Sequence, residues 1–144
     1  MGATEVDATM TAIIFVIALI AVCGFVAWRG GPDERLAAGA IAVAAFLSPF
    51  VKARGYAGLE LGLVLVDLGL FLTLSAIALR SRAFWPMWAA GFQLCGLAGH
   101  LAAAKSTSIV PAAYAETLAV WAYAVIASLL VGTLVEGQQR HGRG

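Results

Sequence analysis

Apolar residues run along this chain in five long blocks, interrupted by short clusters of glycine, proline and charge. A bilayer core of about 30 Å needs roughly 20 apolar residues as a helix. On that measure the blocks predict spans at about 10–28, 35–50, 58–79, 84–104 and 112–135. The first reads from Met10 to Trp28 without a charge and ends on Trp28-Arg29, an aromatic interface anchor followed by a cation. Gly30-Gly31-Pro32-Asp33-Glu34 is a turn leading into a helix start, with Pro at the opening position and acids near the N-terminus. The second block is rich in alanine, with small residues four apart at Ala38-Ala42 and Ala40-Ala44, so backbones approach closely there. Ser48-Pro49 marks its end, or a bend that frees the carbonyl of Ala45. In the fourth block Gly91, Cys95, Gly99 and Ala103 form a similar stripe, after an interface belt of Phe84, Trp85 and Trp88.

The fold class that follows is all-α: a polytopic transmembrane helical bundle, a single domain over residues 1–144, with five transmembrane helices and short loops. Arg29, Arg35, Arg80, Arg82, Arg140 and Arg143 fall in loops and a tail on one side, against Lys52, Arg54 and Lys105 on the other. The positive-inside rule puts the first group in the cytoplasm, so the N-terminus is expected outside and the C-terminus inside. Residues 1–9 hold Glu5 and Asp7 and no cation, unlike the basic start of a secretory signal peptide, and cleavage or lipidation at Cys23 is not expected. Val6 stands where a myristoylation motif needs Ser or Thr.

Composition agrees. Hydrophobic residues make up 62% and charged residues 12% of the chain, where soluble domains carry about 25% charged residues. A net charge of +1 gives no basic patch for nucleic acid. Cys23 and Cys95 lie inside apolar blocks without metal or disulfide spacing, so they read as packing residues. No metal site and no cofactor are expected.

What remains polar inside the apolar blocks is the candidate chemistry. Glu60 and Asp67 lie seven residues apart on the third block, Gln93 and His100 seven apart on the fourth, and Glu116 and Tyr123 seven apart on the fifth. Seven residues is about two turns, so each pair shares a face. Rise arithmetic puts Asp67 and Gln93 near the midplane, with Tyr123 within reach, and Glu60, His100 and Glu116 together nearer the outer face. A charge in hydrocarbon is expensive, so Asp67 should face protein or water. Without a neighbouring cation, desolvation works against its charged form, so a protonated Asp67 that donates a hydrogen bond and an ionised Asp67 are equally open. The same residues read as interhelical bonding or as a proton pathway, and His100 also as a lone metal ligand.

The stretch Arg82-Ala-Phe-Trp-Pro-Met-Trp-Ala-Ala-Gly-Phe-Gln, followed by His100, by Ile109-Val-Pro-Ala-Ala-Tyr-Ala and by Gly132-Thr133, resembles a group of small uncharacterised bacterial multi-span inner-membrane proteins. The resemblance covers the C-terminal 80 or so residues and implies a bacterial inner-membrane setting without an activity. Short loops leave no soluble domain for chemistry, so an interaction or assembly subunit is the leading expectation, with a membrane-protein partner or a homo-oligomer. Transport of protons, cations or small solutes along the polar stripe is the alternative. A membrane-embedded lipid-modifying enzyme comes third, because no catalytic motif supports it and no catalytic residue can be named.

Overall fold

A computed structural model describes residues 3–52, 61–105 and 111–141. These residues form five helices and no strand: α1 (Ala3–Arg29), α2 (Pro32–Lys52), α3 (Leu61–Arg80), α4 (Trp85–Lys105) and α5 (Pro111–His141). Three begin at or beside a proline, at Pro32, Pro86 and Pro111, where the missing N–H would have no intrahelical partner. The helices outrun the expected spans, chiefly in α1, which begins at Ala3, and α5, which ends at His141. The extra turns are the polar flanks, which a hydropathy pattern leaves out although they keep helical hydrogen bonds. Pro49 lies inside α2 and does not end it, and Ser48 Oγ donates to the carbonyl of Ala44 at 2.7 Å.

The α1–α2 turn is tight for a local reason. The Gly30 N–H donates to the carbonyl of Val26 at 2.7 Å, and a Cβ at Gly30 would sit 2.5 Å from that same oxygen. Only glycine closes this turn without displacing the helix end. The bend also places Glu34, which the sequence marks as a first-turn acid, under the turn with 1% exposure, where it is partnered.

Consecutive helices pack side by side, and α5 returns to touch α1 and α2, so the bundle closes on itself. Its core takes Val26 from α1, Ala37, Ala38 and Ile41 from α2, Leu74 and Ile77 from α3, Ala89 from α4 and Leu129 from α5. The alanines of α2 therefore do face the interior. Outside, the surface stays apolar: Ile14, Ile17 and Ile20 on α1 and Phe46 on α2 are more than half exposed. Contiguous apolar surface of this kind is foreign to water and suited to hydrocarbon.

Four helices are long and apolar enough to cross a membrane, within Thr9–Arg29, Pro32–Val51, Leu61–Arg80 and Glu116–Gln139. The other, α4, is of equal length to α2 but interrupts its apolar run with Gln93 and His100 and opens on Trp-Pro-Met-Trp.

Candidate functional site

The α3–α4 hairpin gathers Asp67, Gln93 and His100 into one cluster. Gln93 Nε2 donates to Asp67 Oδ1 at 3.1 Å and lies 3.3 Å from the Asp67 backbone carbonyl. His100 Nε2 stands 2.7 Å from Asp67 Oδ2. Both carboxylate oxygens are thereby engaged by α4, and with its proton on Nε2 the imidazole donates like the amide. Gln93 and His100 are buried, with 7% and 3% exposure, while the Asp67 side chain keeps 25%.

The hairpin explains who meets whom. Counted from the α3–α4 turn at 1.5 Å per residue, Asp67 lies about 20 Å up α3, His100 about 22 Å up α4 and Gln93 about 12 Å. His100 is thus level with Asp67. Gln93 sits a turn and a half closer to the loop, on the side toward which the α3 carbonyls point, and so meets the Asp67 carbonyl as well as its side chain. The expected partnership of Asp67 and Gln93 is present. His100, expected level with Glu60 and Glu116, also joins them, because the helix boundaries put Asp67 farther from the loop than the span limits implied.

Tyr123 and Glu116 lie elsewhere. The ring of Tyr123 packs edge-on against Phe15 of α1, with centroids 5.4 Å apart, and belongs to the α1–α5 seam. Glu116 is exposed. Glu60 falls outside the described residues. Among the described residues no three His, Cys, Asp or Glu side chains come together as a metal ion would require.

Two features escape sequence reasoning. The first is the division of the small residues on α4. Gly99 faces α5, where a Cβ would meet Leu118 at 3.5 Å, and Gly96 is buried nearby, but Gly91 and Cys95 are exposed. With Ala98 and Ala102, also exposed, they make a bare small-residue strip away from the polar cluster. The second is Trp85. Its neighbours Phe84 and Trp88 are 67% and 54% exposed, as interface aromatics should be, yet Trp85 is only 6% exposed. Its ring fills the space that a Cβ on Gly132 would occupy, and its Nε1 is buried with no hydrogen-bond partner among the described residues. The nearest sequence signal is Pro86, which orients the first turn of α4, together with a glycine far away in α5.

Grooves open on the surface of the described residues. One, of about 700 Å³, lies between α2 and α3 and is lined by Gly39, Ala40, Val43, Leu65 and Gly69 among others. Another, of about 1080 Å³, lies between α4 and α5 at the α3–α4 turn, and Trp85 is part of its wall. Asp67, Gln93 and His100 line neither. No protein-family model, curated protein or solved structure matches the chain.

Proposed function

We propose that this chain is a small integral membrane subunit or scaffold whose work is assembly with another membrane protein or with further copies of itself. In this reading α4 is a fifth crossing: 21 residues rise about 31 Å, enough for the hydrocarbon core, and its polar groups turn toward α3. The arginines at the α1–α2 and α3–α4 turns then lie in the cytoplasm, with the N-terminus outside and the C-terminus inside. A bacterial inner membrane is the setting that the C-terminal sequence resemblance suggests.

The observation that carries the proposal is the two-sidedness of α4. Its polar side is used up within the hairpin, where Asp67 bonds both partners, while another side leaves Gly91 and Cys95 bare. In lipid, small residues favour helix association by letting backbones approach. Cys95 supplies the test. Mild oxidation of native membranes should join Cys95 to a second chain, whether a partner or another copy, and Cys95→Ser should remove the product.

Transport along the polar stripe is the second reading. It draws on the Asp67 carboxylate, which retains partial exposure beside His100. Liposomes holding the purified chain decide between the two: assembly predicts background proton and cation flux, and flux that Asp67→Asn abolishes would overturn it in favour of transport.

A further inference from the structure

The α4–α5 groove changes character along its length. On α5 its wall runs through Ala124, Ala127 and Val131 to Val135, a rise of about 16 Å, and the facing aromatics of α4 are Trp88 and Phe92. That distance is about half of a 30 Å hydrocarbon core, the depth of one leaflet. Past Val135 the lining turns polar, with Ser81 and Arg82 at the turn and Glu136 on α5. An apolar trough one leaflet deep with a polar mouth matches one amphiphile, acyl chain inward and headgroup at the surface.

Two details specify the headgroup end. Arg82 is exposed and engages no acid among the described residues, and a guanidinium is a fork for phosphate oxygens. The acid across the mouth, Glu136, is already partnered. Trp85, in the groove wall, holds a buried indole N–H with no acceptor, although tryptophans in such positions ordinarily find one. A lipid ester or phosphate oxygen is an acceptor of the right kind for it.

We infer that this groove is a binding site for a single glycerophospholipid, its phosphate held by Arg82, its ester region by Trp85 Nε1, and one acyl chain laid along Trp88, Phe92 and Val131. The inference rests on the membrane setting proposed above but not on the assembly role.

Native mass spectrometry of the full chain in detergent tests it, with dioleoylphosphatidylglycerol as the probe and dioleoylglycerol, the same chains without phosphate, as the comparison. The expected result is one phosphatidylglycerol retained per chain and no retention of dioleoylglycerol. Arg82→Gln should weaken retention about tenfold, the scale of a lost charge-assisted contact. Ala127→Phe, an exposed position on the trough wall, should abolish retention while helicity by circular dichroism is unchanged. Gly91→Leu should leave retention intact even where it disrupts assembly, so the two proposals fail separately. Equal retention of both lipids, unchanged phosphatidylglycerol retention in Arg82→Gln and Ala127→Phe, or a bound polypeptide in place of lipid would each overturn the inference.

Discussion

Two regions of α4 bury polar atoms among apolar side chains, and they differ in whether those atoms are matched. At the Asp67 level, an amide donor and an imidazole nitrogen meet the two side-chain oxygens of one acid across two helices. At the turn end, the indole N–H of Trp85 meets nothing. In a medium without water, a matched cluster ties its helices together and fixes their register, while an unmatched donor is a standing cost that an incoming acceptor removes. The same helix thus carries a closed polar site and an open one, and only the open one lies on a groove.

Opening the closed site should do the most damage. Asp67→Ala takes the carboxyl away from His100 Nε2 and leaves Gln93 Nε2 only the backbone carbonyl of residue 67, which should destabilise the bundle by about 3 kcal/mol, the upper end for a lost buried polar contact. Unfolding in mixed micelles by a denaturing detergent measures this. Gln93→Leu removes only one donor and leaves His100 on the carboxylate, so it should cost about 1 kcal/mol, typical of one interhelical bond in a bilayer protein. Equal losses in the two variants would mean that Asp67 is not the hub.

A somewhat smaller loss belongs to the seat of the open site. A methyl at Gly132 occupies the place of the Trp85 ring, so Gly132→Ala must push the indole outward or part α4 from α5. Overpacking of this kind should lower stability by about 2 kcal/mol. Tryptophan emission is expected to shift to longer wavelength as Trp85 leaves its pocket. Unchanged stability and emission would show that the ring is not held by α5.

Much of this is legible in the sequence because hydrophobicity is a per-residue property. The apolar blocks mark the five helices, the alanines of α2 announce its close-packed inner face though its outer face is exposed, and the seven-residue spacing on α3 and α4 brings Asp67 to Gln93. Partners that depend on exact rise are harder. The sequence pattern places His100 level with Glu60 and Glu116 and misses its contact with Asp67, because a few residues of error in a helix limit shift depth by several ångströms. Trp85 looks like an interface residue by its type and its neighbours, and its burial depends on Gly132, some 47 positions away, which no local pattern connects to it. Glu34 likewise looks like an ordinary first-turn acid, and only the tight turn at Gly30 makes it a buried one.

On the bare side of α4, Gly91→Leu should leave the unfolding transition in place, since Gly91 is exposed and a Cβ added there would meet nothing within 4 Å. If the strip serves assembly, the Cys95 cross-link should fall about tenfold in yield at equal expression, the scale of about 1.4 kcal/mol in association. An undiminished cross-link would send the assembly surface to another face, such as the α2–α3 groove.

The slightest change in stability is the most discriminating. Trp85→Phe keeps an aromatic ring over Gly132 but deletes the unmatched N–H, so two opposing contributions meet at one site. Loss of ring volume should destabilise, and removal of a stranded donor should stabilise, leaving the lipid-free bundle within about 1 kcal/mol of wild type. With lipid the contributions no longer cancel, because wild type gains an acceptor for its indole N–H and the phenyl ring of the variant has no donor to offer. Phosphatidylglycerol should therefore raise the melting temperature of wild type more than that of Trp85→Phe, although both start from nearly the same value. Equal shifts would mean that the N–H stays unmatched with lipid present, and the contrast between the closed and open ends of α4 would then be one of packing alone.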